Sequence, residues 1–484
     1  MKRAVFAAVA LLSAMTIVVA AAAAGGDNTG GDGIKEHAQF GRLAETQYDG
    51  GIKAGSAKNM EAIAHVDLAA RGFNADVWAH EGYAYVGQWG FNDWAGGNSR
   101  FCPDDPVTRG VAVVDARVPA QAKWVSRLEH PVGSSVEDVV VFTARYGEFA
   151  GRDIAVAGIQ NCLGSRYDIA AQRGLMLWDV THPESPLQIA YFKTACCTRG
   201  VHELEVQHRT DLGRTFVYAS VPTSGYPDPG TPSGVRDQFG HGDFRLFDIT
   251  NPRSPVQVGE WGIHDVGTPF QALGCDADGN YGHSAEPSED GKLAFVAYWD
   301  SGFIALDVSN PAKPTFKGTT TYGLDEDGDG HSSQYDEGRK LLFSADEDFC
   351  KTSGSATEKG FGYLRVWDYS KLNAPKQIGE YKTPNASDST DKSAGDYTIH
   401  NNFLVGTTLF TSWYSDGVRM IDVSNPRAPE EIGYFVPPAT TNPIKPSQRG
   451  VLTNTTQVWG VVVENGLVYA SDMNSGLWIL RPKR

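Results

Sequence analysis

A short apolar run rich in β-branched and aromatic residues, followed by Asp, a Ser or Thr, Asn and Pro, recurs along most of the chain. It reads VRMIDVSNPRAP at 418–429, FIALDVSNPAKP at 303–314, FRLFDITNPRSP at 244–255 and LMLWDVTHPESP at 175–186. Looser copies are VAVVDARVPA at 111–120 and LRVWDYSKLNAP at 364–375, and GLWILRPKR at 476–484 ends where the others would turn. The apolar run predicts a strand with at least one covered face. The Asp-x-Ser-Asn-Pro that follows is turn chemistry, because Asp and Asn accept local backbone bonds while Pro fixes φ and withholds a donor. A second short strand follows each turn, and another pair precedes each copy. No long stretch with helical period competes.

Four short antiparallel strands per unit predict propeller blades. Seven are counted: residues 74–130, then to 193, 261, 317, 381 and 435, and a last one joining 458–480 to 62–67. The strand at 62–67 resembles an outer strand with no blade before it, and the final blade lacks its outer strand. Pairing the two closes the array and removes exposed sheet edges. The expected fold is therefore all-β, a seven-bladed β-propeller of four-stranded antiparallel blades over 59–484.

The repeated cores GLMLWDVTHPESP, GFIALDVSNPAKP and GVRMIDVSNPRAP resemble the LVIVD repeat of extracellular and surface β-propeller proteins of prokaryotes. The resemblance covers nearly all of the chain after residue 58. It implies architecture and an external location, and it implies no particular chemistry.

Of the 484 residues, 41% are hydrophobic, enough for a core, and the formal charge is −16. That charge argues against nucleic acid and anionic membrane surfaces as partners and favours cations. Residues 1–24 begin with Lys2 and Arg3, continue through small and apolar residues and end in alanines, the pattern of a secretory signal; an uncleaved anchor is the competing reading. Residues 25–58 read as a flexible leader without apolar period. No other segment is apolar enough to span a membrane. A secreted, periplasmic or cell-surface monomer is expected.

Long connections gather at two positions in each unit and emerge on one face, where function concentrates. All six cysteines, Cys102, Cys162, Cys196, Cys197, Cys275 and Cys350, fall in them. In an exported chain they read as disulfides of unassigned pairing; the adjacent Cys196 and Cys197 have soft-metal binding as the alternative.

The strongest chemical signal is a column of histidines. Counted from the second strand of each blade, the innermost strand begins near His202, His283, His331 and His400 in four consecutive blades, though the chain has only 12 histidines. The equivalent places elsewhere hold Trp459, Asp76, and Glu137 with Asp138. Innermost strands surround the axis, so one register should bring the imidazoles to one height. Imidazoles on separate rigid strands suit copper or iron, with zinc or manganese as further candidates. Glu137, Asp138 and Glu203 are the acids expected to orient the rings. The competing reading is that the rings merely line a wet channel. The arrangement is similar in geometry, not in sequence, to carotenoid-cleaving oxygenases, which hold ferrous iron with four histidines from separate blades. It is similar in the same sense to the selenium-binding protein and methanethiol oxidase family, associated with copper.

A second cation candidate is DEDGDGHSSQYD at 325–336, where Asp325, Asp327, Asp329 and Asp336 follow the order of a calcium loop around Gly330. Nucleophile-elbow and phosphate-loop patterns are absent. Two function classes stand: a metal-dependent oxidoreductase acting on a small substrate, and a noncatalytic surface propeller that binds a ligand.

Overall fold

The repeated apolar runs are extended in the structure. Val111–Asp115, Phe244–Asp248, Phe303–Asp307, Leu364–Asp368 and Val418–Asp422 share one burial pattern, four buried residues and then a half-buried Asp. Both faces of these strands are covered, which explains the near-continuous apolar sequence. The Asp that ends each run accepts the N–H two residues on: Asp307 from Ser309 at 2.9 Å, Asp368 from Ser370 at 2.8 Å and Asp422 from Ser424 at 2.8 Å. The turn it builds packs onto the outer strand of the preceding sheet. There a Cβ on Gly318 would lie 2.1 Å from the Leu372 carbonyl oxygen, and one on Gly379 2.1 Å from that of Pro426. Only glycine lets the turn come so near. The repeat thus encodes the contact between neighbouring sheets as well as its own strand.

The computed structural model describes residues 55–92, 100–163, 168–222, 240–266, 281–323, 326, 328–349, 361–387, 395–441 and 455–483, all within the compact unit Ile34–Arg484. The expected signal segment, and the leader up to residue 54, lie outside them. The architecture is all-β and propeller-like, built from four-stranded antiparallel sets in chain order. Leu204–Arg209, Arg214–Ser220, Phe244–Asp248 and Val256–Trp261 form one. Ser284–Pro287, Leu293–Ala297, Phe303–Asp307 and Thr315–Thr319 form the next. Gly330–Asp336, Leu341–Asp346, Leu364–Asp368 and Lys376–Tyr381 follow, and then Asn402–Val405, Thr408–Ser412, Val418–Asp422 and Glu430–Phe435. Nearer the start, two sets are joined into one sheet through the pairing of Gln88 with Val136.

The last set combines Val458–Glu464, Leu467–Asp472 and Gly476–Pro482 with Met60–Val66, whose Met60 faces Pro482 and Val66 faces Leu477. Residues near the two ends of the described chain therefore share one sheet. Ala57–Lys58, expected in the leader, instead add to Glu430–Phe435, so ordered structure begins before residue 59.

Apolar cores lie between successive sheets. One joins Val156, Leu175 and Leu177 to Val217 and Phe247; another joins Val66, Leu477 and Ile479 to Val77, Val86 and Val114. Each fully buried Val, Leu or Ile contributes about 1.5–3 kcal/mol. Cys102 is bonded to Cys162, and Cys196 to Cys197. The last pairing corrects the soft-metal alternative, since neither sulfur is left as a thiolate. Cys275 and Cys350 lie outside the described residues. No helix among the described residues is long and apolar enough to cross a membrane.

Candidate metal centre

His202, His283, His331 and His400 stand where four successive sheets start their first strand. The N–H groups of His202, His283 and His400 donate across to Ser220 O, Ala297 O and Ser412 O at 2.9, 2.8 and 2.9 Å, so three of the four share one register. At His331 the pairing skips between Gly330 and Ser332. Serines following two of these histidines tie the sheets sideways. Ser284 Oγ donates to His331 O and Ser332 Oγ to His400 O, each at 2.6 Å. Backbone bonds along each strand and hydroxyl bonds between strands thus fix the height of the rings before any ligand arrives.

The four imidazoles form a continuous buried row, each ring edge-on or tilted to the next. Centroids are 4.1 Å apart for His202 and His283, 4.0 Å for His283 and His331, and 3.9 Å for His331 and His400. Exposure is 4% for His202 and His283 and 0% for His331 and His400. His202 Nε2 and His283 Nε2 face each other at 2.7 Å. His202 Nδ1 lies 2.5 Å from Glu137 Oε2, which also accepts from Gln160 Nε2 at 2.8 Å. His400 Nδ1 donates to Trp459 O at 2.8 Å, which fixes Nε2 as its free nitrogen.

Two carboxylates enter the row. Glu203 Oε1 is 3.6 Å from His283 Nδ1 and 3.5 Å from His331 Nε2. Glu347 places Oε2 3.5 Å from His331 Nε2 and Oε1 3.8 Å from His400 Nε2, while accepting the Tyr414 hydroxyl. Those separations exceed a hydrogen bond. Accordingly His283 Nδ1, both nitrogens of His331, His400 Nε2 and Glu203 Oε1 have no hydrogen-bond partner among the described residues. Glu203, His283 and His331 form one trio, and His331, Glu347 and His400 a second, each with its ligand atoms within 4.8 Å of one another. Donors on opposite sides of one ion, at bonds of about 2.1 Å, are about 4.2 Å apart. Each trio therefore encloses a gap of ionic size.

The electrostatics fit a cation. Burial, and then the neighbouring imidazoles, hold His283 and His331 well below the ordinary imidazole range, and burial pulls His400 down to about 3. All three are neutral at physiological pH, the form that ligates metals. Burial pushes Glu203 and Glu347 well above the carboxylate range, and nearby carboxylates push Glu203 further. Glu137 resists its own burial through His202 and stays low. Arg199 is the one cationic side chain among the residues lining the small cavity beside the rings.

Aromatic rings wall this cavity. Trp299 stacks on His283 at 5.2 Å and 26°, and Trp459 lies 4.3 Å from His400. Trp299 and Tyr414 each hold φ at +35°, a left-handed conformation costing a bulky residue about 1–3 kcal/mol. In return one ring lies against His283 and the other hydroxyl reaches Glu347. The cavity leaves ≈ 20 Å³ for the centre of a water-sized group, room for an ion or a single small molecule.

Of the acids expected to orient the rings, Glu137 touches His202, and Glu203 stands among the nitrogens. Asp138 does neither: its Oδ2 accepts from Leu204 N at 2.8 Å, and it lines a different cavity. The proposed calcium loop needs correction. Asp325 and Asp327 lie outside the described residues, while 330–336 form a strand. At about 3.3 Å per residue that strand carries Asp336 roughly 20 Å from Asp329, too far to share an ion. Asp336 is instead held by Arg339, at 2.6 Å from Nε. Sequence reasoning missed Glu347. Its only signal was the Asp346-Glu347-Asp348 run at a strand end, a pattern ordinarily left in water.

The LVIVD repeat model matches residues 71–91 and 288–321. No curated protein matches the chain. Among solved structures, the computationally designed Ika8 protein is similar over 84% of this chain and 96% of its own, at 7% identity and a TM-score of 0.42. The matched stretches take in the strands Asn74–His80 and Phe303–Asp307 and the turn after the second; the chain is similar to the LVIVD repeat there, and its four-stranded sheets are propeller-like.

Proposed function

We propose that the chain is an exported, closed, seven-bladed propeller that holds one redox-active transition metal at its axis and acts as an oxidoreductase on a small substrate. Closure is supported by the pairing of Met60–Val66 with Gly476–Pro482. Export is supported by the pattern of residues 1–24 and by the bonded cysteines, which suit an oxidising compartment. The observation that carries the metal is the set of unpartnered nitrogens of His283, His331 and His400 beside the unpartnered Glu203 oxygen. Burying such groups without partners costs free energy, and an ion seated in either trio would satisfy the orphaned atoms that the trio presents.

His331 would hold the ion with either Glu203 and His283 or Glu347 and His400; His202, the fourth expected ligand, meets Glu137 and His283 and belongs to neither trio. Two carboxylates among imidazoles make a harder donor set than four imidazoles, and two histidines with one carboxylate is a ferrous arrangement. Iron is therefore ranked ahead of copper. Such an ion, when bound, supplies electron transfer and Lewis acidity to a ligand beside it. The chain's own residues set the conditions: Glu137 orients His202, Tyr414 directs Glu347, and Trp299 and Trp459 keep water out. The remaining space restricts the substrate to a molecule of a few atoms.

The test is elemental analysis of protein produced with iron, copper, zinc and manganese all supplied. Stoichiometric iron or copper, lost in both His331→Leu and Glu347→Gln, is expected. Stoichiometric zinc would refute the redox reading, and folded protein without metal would leave a noncatalytic ligand-binding propeller.

A further inference from the structure

A second cavity, larger than the one beside the imidazoles, is lined by none of the four histidines. Its volume is ≈ 80 Å³ for water-sized centres, and its wall carries five carboxylates, those of Asp76, Asp138, Glu203, Glu205 and Glu286, with no Lys or Arg among the described residues that line it. Glu203 is shared with the imidazole cluster. The others come from three further first strands and from Leu204–Arg209 itself. Sequence distance between them is large, so only the arrangement of sheets brings this charge together.

Acidic character alone would not make a site. Besides Glu203 Oε1 and Asn401 Oδ1, three buried groups on the same wall have polar atoms with no hydrogen-bond partner among the described residues: Asp76 Oδ2, Ser333 Oγ and Asn402 Oδ1, on residues 5%, 6% and 7% exposed. Their other atoms are committed, Asp76 Oδ1 accepting from Asn401 Nδ2 at 2.6 Å and Asn402 Nδ2 donating to Phe343 O at 3.2 Å. The free atoms are all oxygens. Oxygen-only donors with several carboxylates select hard cations over the softer metals that imidazole prefers. The volume exceeds that of a bare ion, and no trio of these acids other than one including Glu203 and two histidines brings its ligand atoms within 4.8 Å among the described residues. Such a space fits an ion that keeps part of its water shell.

We propose that this acidic chamber binds one partly hydrated hard divalent cation of the calcium, magnesium or manganese class, separate from the transition metal of the imidazole cluster. The ion neutralises the carboxylates and meets the free oxygens directly or through its waters. With few direct ligands its dissociation constant falls at about 10⁻⁵–10⁻³ M, the weak end of oxygen-ligand sites. The proposal does not depend on the imidazole centre being filled.

Terbium(III) probes the site, because Trp78 lines the chamber and its indole sensitises bound terbium. Saturable emission at one ion per chain is expected, displaced by calcium and lost in Trp78→Phe. In the single variants Glu205→Gln and Glu286→Gln half-saturation should move at least tenfold higher, with circular dichroism unchanged. His331→Leu should bind as the parent does. Emission unaltered by both acid variants would overturn the proposal, as would its loss in His331→Leu, which would assign the ion to the imidazoles. Should a glutamate variant fail to fold, calcium-dependent thermal stabilisation of the parent and of Ser333→Ala decides the matter: no calcium shift in the parent refutes the site, and a weaker shift in the variant supports it.

Discussion

His331 is the place where the metal reading makes its sharpest demand. The ring is fully buried, and neither nitrogen reaches hydrogen-bond geometry with a partner among the described residues. An unsatisfied buried polar group costs about 1–3 kcal/mol. Leucine has a similar volume and no polar atoms, and a volume-conserving core replacement usually costs under about 1.5 kcal/mol. In chelator, His331→Leu should therefore be at least as stable as the parent, by up to about 3 kcal/mol. With metal at 1,000 times its dissociation constant the parent should gain about 4.1 kcal/mol, and the variant, missing the residue shared by both ligand trios, should gain little. The order of stability should then reverse between the two conditions. Urea unfolding followed by the fluorescence of the 11 tryptophans, with chelator and with metal, measures both differences. A variant less stable than the parent in chelator would mean that His331 is a satisfied structural residue. An equal metal shift in both proteins would place the ion elsewhere. Either result refutes the reasoning.

Tyr414→Phe removes the hydroxyl that directs Glu347 and should weaken metal binding by about 10–100-fold, as read by competition with a chromophoric chelator. His130 is 1% exposed, and burial holds its pKa down to about 3. The unfolded chain takes up a proton near pH 6.5 that the folded one refuses, so this contribution is complete above that pH and is lost on acidification. At pH 5 the loss is about 2 kcal/mol, at 1.36 kcal/mol per unit. His130→Gln should abolish that part of the dependence, seen as a difference in unfolding free energy between pH 8 and pH 5. Arg419 is fully buried with Asp416 and 3.1 Å from Glu431; Arg419→Ala strands a buried carboxylate and should cost about 3–5 kcal/mol in denaturant unfolding.

The sequence by itself determined the strands, the turns and their repetition, because each is local. The apolar run of Phe303–Asp307 and the Asp307 bond to Ser309 are written within a few residues of one another. Register along one strand is local too, so the histidine column could be read from positions relative to the strands that follow. It could not tell which acids join the imidazoles. Glu347 follows a strand end like many solvated acids, and only the packing of neighbouring sheets sets it beside His331 and His400. The same packing sends Glu203 in among the ring nitrogens and turns Asp138 toward the acidic chamber. The 325–336 motif failed for the converse reason. Its spacing matches a loop, but pairing of Gly330–Asp336 with Leu341–Asp346 extends its second half and separates Asp336 from Asp329. A chain specifies the direction of its own backbone over a few residues; which side chains meet across an axis depends on contacts between segments tens to hundreds of residues apart, and only the assembled sheets decide those.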